Sequence, residues 1–163
     1  MRVRHLIEKT KIVKSDTGWS QNDMPPRYSP IYSKSRPIRA GWKWRSSHCH
    51  AADIATDFIL TALCNVRRDN WQAYLMVETD AGHSVVARFE SHGSHPGLHG
   101  HSHCDRGGIE IGASGLDNLV RCPPANEVHR HTNAWTEATF WEAARRFFRV
   151  REKQARLEFD DAT

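Results

Sequence analysis

The run Arg88-Phe-Glu-Ser-His92-Gly-Ser-His95-Pro-Gly-Leu-His99-Gly-His101-Ser-His103-Cys104-Asp105 concentrates the residues best suited to chemistry in this chain. The chain has 11 histidines, and seven of them lie from His92 to His131. Histidine exchanges protons near neutral pH and also binds borderline metals. Two chemistries fit. The first is acid–base cleavage of a phosphodiester, in which one group takes the 2′-hydroxyl proton and another protonates the leaving oxygen. His95, His99, His101 and His103 are the candidate acids and bases. Arg88, at the end of an apolar run, is the candidate cation for the developing phosphate charge, with Arg106 beyond it. Gly93, Gly97 and Gly100 let backbone come close to a phosphate, yet their spacing matches neither a P-loop nor a dinucleotide fingerprint.

The second chemistry is metal binding. His99, His101, His103 and Cys104 place imidazoles two residues apart, on one side of any extended strand. Zinc needs three or four such ligands converging tetrahedrally. His48, Cys49, His50 and Cys122 are candidates to complete the shell. The pattern differs from the HxHxDH of metallo-β-lactamases, because His103 stands at the fifth position and Asp105 lies two further on. A metal-dependent hydrolase is therefore the weaker metal reading, and a structural zinc the stronger. As loop filler, any single histidine needs no special role; four within the nine residues from His95 to His103 do.

These groups must be positioned by a small frame. The 163 residues suit one compact domain plus an arm. No 18-residue apolar run occurs and the mean hydropathy is −0.66, so no transmembrane helix and no membrane partner are expected. The first residues hold no secretory signal and there is no CxxC pair, which points to a cytoplasmic chain with reduced thiols.

The runs Phe58–Val66, Trp71–Thr79 and Ser84–Ser91 are apolar or alternating, and polar turns separate them. They predict an antiparallel meander. Trp71, Ala73, Leu75 and Val77 share one side. Val85, Ala87 and Phe89 fall on one face of the third run, Val86, Arg88 and Glu90 on the other. Residues 92–131 read as a histidine-rich loop. Trp135, Ala138, Trp141, Ala144, Phe148 and Ala155 recur at helical steps and predict a helix over 135–157, capped by Thr132 or Asn133. The expected fold is α+β, an antiparallel β-meander packed against a C-terminal helix, with a basic irregular N-terminal arm. Residues 1–47 form that arm, and residues 48–163 the single domain.

Net charge is +4, unevenly placed. Residues 1–45 carry 11 Lys and Arg against three acids, whereas the remainder is net acidic. Residues 1–14 can form a short strand or helix. Pro25, Pro26, Pro30 and Pro37 forbid a long regular element after it. A basic segment attracts polyanions through counterion release, and tryptophans among its cations can stack on bases. Arg39, Trp42, Lys43, Trp44 and Arg45 are the candidate nucleic-acid contacts. The plainer reading makes these tryptophans anchors of the arm on the core.

The chain resembles small histidine-rich bacterial proteins of the toxin–antitoxin type. The likeness rests on a meander ending in Arg88-Phe89-Glu90, on His95-Pro96, on His99-Gly-His101-Ser-His103 and on the closing helix, over residues 54–150. It implies a cytoplasmic effector, a ribonuclease using loop histidines, that acts on RNA and is neutralised by a protein partner. No cofactor is needed on that reading. The surplus of His and Cys and the tryptophan-bearing arm leave room for the alternative, a non-enzymatic nucleic-acid or protein adaptor with a structural zinc.

Overall fold

The computed structural model describes residues 3–30, 36–79, 82–92, 95–102, 120–121 and 134–153. Its elements in chain order are α1 (Val3–Glu8), β1 (Lys11–Asp16), β2 (Lys43–Ala51), β3 (Thr56–Asn65), β4 (Asn70–Thr79), β5 (Gly82–His92), β6 (His95–Ser102), β7 (Val120–Arg121), α2 (Glu137–Phe147) and β8 (Val150–Arg151). They form one mixed sheet in the order β7-β6-β5-β4-β3-β2-β1-β8. Neighbours are antiparallel except β1 and β8, which run parallel. The fold is α+β, with the β3–β4–β5 meander packed against the C-terminal helix. α1 leads into β1 yet packs against β5, four strands away, because the six longer strands curl into a half-barrel.

Alternation gives the sheet two faces. On the helix face, Phe58, Leu60, Ala62 and Cys64 of β3 lie beside Trp71, Ala73, Leu75 and Val77 of β4. α2 covers them with Phe140, Trp141, Ala144 and Phe148. Phe89 stacks on Phe140 at 5.8 Å and on Phe147 at 4.7 Å. Burying each such ring contributes roughly 1.5–3 kcal/mol. On the opposite face, which we call the arm face, Met24, Trp44 and Leu63 pack with Tyr28, Ile38 and Trp42. There the irregular segment from Asn22 to Trp42 takes the place of a second helix.

Several expectations need correction. α2 ends ten residues before 157, and its cap is Thr136, whose side chain accepts from Thr139 N, in place of Thr132 or Asn133. The chain leaves the helix through Arg149 at φ +53°, and Val150 then pairs with Lys11 of β1. That pairing is non-local, so helical periodicity beyond 148 could not reveal it. On β5 a register shift opposite Leu75/Met76 puts Val86 on the helix face with Ala87 and Phe89, and sends Val85 across to Ile59 and Met76. Such a bulge inserts one residue and inverts the faces behind it. Residues 1–14 supply both a helix and a strand. β2 runs across the expected boundary at 47, and the expected loop opens with strand β6.

Candidate functional site

Antiparallel pairing of β5 and β6 brings part of the histidine run to defined positions. His101 stands opposite Arg88, His99 opposite Glu90, and His95 opposite His92. Residues directly opposite on such a ladder have Cβ atoms about 4.5–5.5 Å apart. His103, Cys104, Arg106 and Cys122 lie outside the described residues.

Arg88 does not present a free guanidinium. Its Nε lies 2.8 Å from Glu90 Oε2, and its Nη2 donates to Glu90 Oε1 at 3.1 Å. Glu90 is 3% exposed, and His92 Nε2 lies 3.5 Å from its Oε1. The sequence made Arg88 a direct phosphate contact, whereas in the fold its fork is engaged by a buried carboxylate. Next to Arg88 across the ladder stands Tyr74, whose hydroxyl donates to Gln72 Oε1 at 2.8 Å. Burial raises the Tyr74 pKa, against the lowering pull of Arg88 and Arg36. Tyr74 also packs against the Met24, Trp44 and Leu63 cluster that the irregular segment helps to build.

That segment builds a basic recess. Arg36, Arg39, Trp42, Leu63 and Arg68 line a cavity of about 530 Å³. A second of about 740 Å³ adjoins it, lined by Lys43, Asn65, Arg67 and Arg68 among others. Among the described residues no ion pair neutralises Arg36, Arg39, Arg67 or Arg68. Arg67 and Arg68 sit on a 3-10 turn between β3 and β4, held by the Arg68 N–H donating to Asn65 Oδ1 at 3.1 Å. In the sequence they read only as a polar break; two adjacent arginines at a tight turn were the available signal.

The five arm candidates divide. Arg39 and Trp42 line the recess. Lys43 lines the adjoining cavity but pairs with Glu137, which raises its pKa. Trp44 is buried, tilted against Tyr28 at 5.7 Å, and its Nε1 donates to Asn22 O at 2.7 Å. Arg45 points to the helix face, 2.9 Å from Asp16 Oδ1 and 4.8 Å over the Trp141 ring. Trp44 and Arg45 are therefore packing and anchoring residues. Strand alternation sends Arg45 to the face opposite the recess, whereas Trp44 shares the recess face and is buried in its floor beside Leu63.

The recess and the histidine strand lie along one row of the arm face. Leu63 pairs with Gln72, Gln72 with Glu90, and Glu90 with His99. Strands are spaced about 4.7–4.9 Å apart, so β3 to β6 spans roughly 14 Å. The row runs from a basic, tryptophan-bearing recess to the register positions of His99 and His101.

The His48-Cys49-His50 triplet is split by the same alternation. Cys49 faces the helix, fully buried, its thiol donating to Ser47 O at 3.6 Å and pushed up to about 12 by burial. It cannot share a metal with its neighbours. His48 and His50 lie on the arm face near the far end of β2. His48 Nε2 is 2.8 Å from Glu78 Oε2, and His50 Nδ1 is 2.7 Å from Asp57 Oδ1. The bond from Lys14, with a smaller contribution from His50, holds the Asp57 carboxyl below its usual range. Asp57 and Glu78 were isolated acids in the sequence, and only the β2–β3–β4 register brings them to the histidines. No protein-family model, curated protein or solved structure matches the chain.

Proposed function

We propose that this protein is a small RNA-directed effector, a ribonuclease that grips single-stranded RNA along the arm face and cleaves it with histidines of β6. The observation that carries the reading is the row from the Arg36/Arg39/Trp42/Arg68 recess through Tyr74, Arg88 and Glu90 to positions 99 and 101. The recess cations bind phosphates flanking the reacting one, and Trp42 offers a ring for a base.

At the reacting linkage one β6 histidine takes the 2′-hydroxyl proton. The 2′-oxygen attacks phosphorus, and the 5′-oxygen leaves with a proton from a second imidazole. The products are a 2′,3′-cyclic phosphate and a free 5′-hydroxyl. Two imidazoles suffice for these transfers near neutral pH, and no cofactor takes part. The Arg88–Glu90 pair acts by fixing the strand edge beside them. A neutralising protein partner would be acidic, since it must mask the recess.

The test is cleavage of a fluorescent RNA oligonucleotide alongside its binding. Wild-type protein should cut it equally well with and without a chelator, and a single 2′-deoxy substitution at the cut site should block cutting but not binding. Binding without cleavage would move the assignment to the adaptor reading, which the engagement of Arg88 by Glu90 favours. Loss of both would overturn it.

A further inference from the structure

We propose that His48, Asp57 and Glu78 form a binding site for one divalent cation of borderline character, such as zinc. The site lies on the arm face at the end of β2 remote from Trp44, separate from the β5–β6 row. Three adjacent strands contribute one ligand each, and each residue offers an atom within 4.8 Å of the others. Ligands on a tetrahedral zinc at about 2.0–2.2 Å stand roughly 3.4 Å apart, so small side-chain rotations close the set. One imidazole with two carboxylates suits zinc, cobalt or manganese. Calcium and magnesium prefer all-oxygen shells.

Two features set this group apart from an ordinary ion-pair cluster. The first is the state of His48. Its Nε2 is shielded from solvent and has no hydrogen-bond partner, although Glu78 Oε2 is only 2.8 Å away. The carboxylate therefore lies off the in-plane axis of that nitrogen, the direction along which its proton or lone pair points. A cation beside both atoms would satisfy both. Burying such a nitrogen without a partner is costly.

The second feature is how the carboxylates are held. Lys14 and His50 both bind Asp57 through Oδ1, leaving Oδ2 for a cation. Arg27 binds Glu78 through Oε1, leaving Oε2 beside His48. The ligands are thus oriented from outside, as outer partners orient the ligands of known metal sites. Lys14 and Arg27 have side chains 47% and 51% exposed, so both cations can swing toward water when a metal brings its own charge. Arg27 belongs to the irregular segment, so an occupied site would also tie that segment to the sheet.

Full-length protein stripped with a chelator and titrated with Co²⁺ tests the proposal. Cobalt absorbs in the visible and reports its ligands, and a thiolate ligand adds a charge-transfer band. Wild type should take up Co²⁺ at a site lacking that band, zinc should displace it, and the midpoint of thermal unfolding should rise on loading. A variant with His99→Ala, His101→Ala and His103→Ala together should keep this site. His48→Ala and Glu78→Gln should each remove one equivalent of Co²⁺ or weaken it at least tenfold. Glu78→Gln preserves shape, and far-ultraviolet circular dichroism confirms that it is folded. If His48→Ala and Glu78→Gln bind Co²⁺ as tightly as wild type, the proposal is overturned. It is equally overturned if all uptake carries the thiolate band and vanishes in the triple variant. Neither result touches the RNA reading, which is assayed in the presence of chelator.

Discussion

One face of the sheet is sealed by an amphipathic helix, while the other is covered by an irregular, proline-bearing segment and keeps a band of titratable side chains. On the helix face, Phe58, Leu60, Leu75, Phe89, Phe140 and Phe148 are all at most 1% exposed. On the arm face, Tyr74, Arg88, Glu90, His48, Asp57 and Glu78 stand among a few apolar anchors. A helix buries a continuous stripe and leaves little room for water. An extended segment touches the sheet through separated side chains such as Met24 and Tyr28 and through single backbone carbonyls such as those of Asn22 and Tyr28, so polar groups survive between them. The same sheet thus has its larger buried apolar cluster on one side and keeps these titratable groups on the other.

The sharpest way to break this contrast is at the histidine strand. His101→Ala should lower the rate of RNA cleavage by about 10²–10⁴-fold, the usual contribution of a general acid or base. Its melting temperature and RNA affinity should stay at wild-type values. A matching loss of stability would make position 101 part of the frame instead.

Next in size is the helix face. Phe140→Ala should cost about 3–5 kcal/mol in urea unfolding, because it empties a fully buried ring site between Trp71 and Phe89. Tyr28→Ala, on the half-buried arm face, should cost clearly less. Equal costs would show that the two faces contribute alike.

A smaller effect sharpens the contrast through Lys11, a cation enclosed on the helix side. Its Nζ donates to the carbonyls of Ile7, Lys9 and Phe148, and burial lowers its pKa from 10.5 to about 7. Above pH 7 the folded chain has released a proton that the unfolded chain still holds, so stability should rise with pH from about 7. The slope is at most about 1.4 kcal/mol per pH unit. Above 9.0 the trend should reverse, since Cys49 and Cys64 stay protonated to about 12 when folded but ionise when unfolded. Urea melts between pH 7 and 10 should show the maximum, and Lys11→Met should flatten the rising limb.

The smallest effect belongs to the recess. Arg68→Ala should weaken RNA binding several-fold and reduce the salt slope by about 1, with stability unchanged. An unchanged slope would remove Arg68 from the phosphate contacts.

Much of the meander was legible because its signals are local. Trp71, Ala73, Leu75 and Val77 alternate, and Asp69-Asn70 and Asp80-Ala-Gly82 break the runs, so β3, β4 and β5 lie close to where the pattern placed them. The start of α2 was nearly legible for the same reason. Its end was not, because Arg149 to Ala155 still carry helix-forming side chains while Val150 is taken by a strand at the other end of the chain. The basic character of the arm was also plain. That Trp44 is core, Arg45 faces the helix and Arg68 joins the recess depended on which face each strand position took.

Composition and periodicity alone therefore determined the α+β class, the order of the central strands, the helix over Trp141 and the clustering of histidine after β5. These follow from neighbours within a few residues, where side-chain period and turn chemistry act directly. The tertiary structure alone decided the pairing of Arg88 with Glu90, the exclusion of Cys49 from His48 and His50, and the meeting of His48, Asp57 and Glu78. Each depends on cross-strand register, and a shift of one residue sends every side chain of a strand to the opposite face. The bulge that exchanges Val85 and Val86 shows that sensitivity within a single strand. Register is settled by the packing of α2 on one face and the irregular segment on the other, contacts that no local stretch of the chain contains.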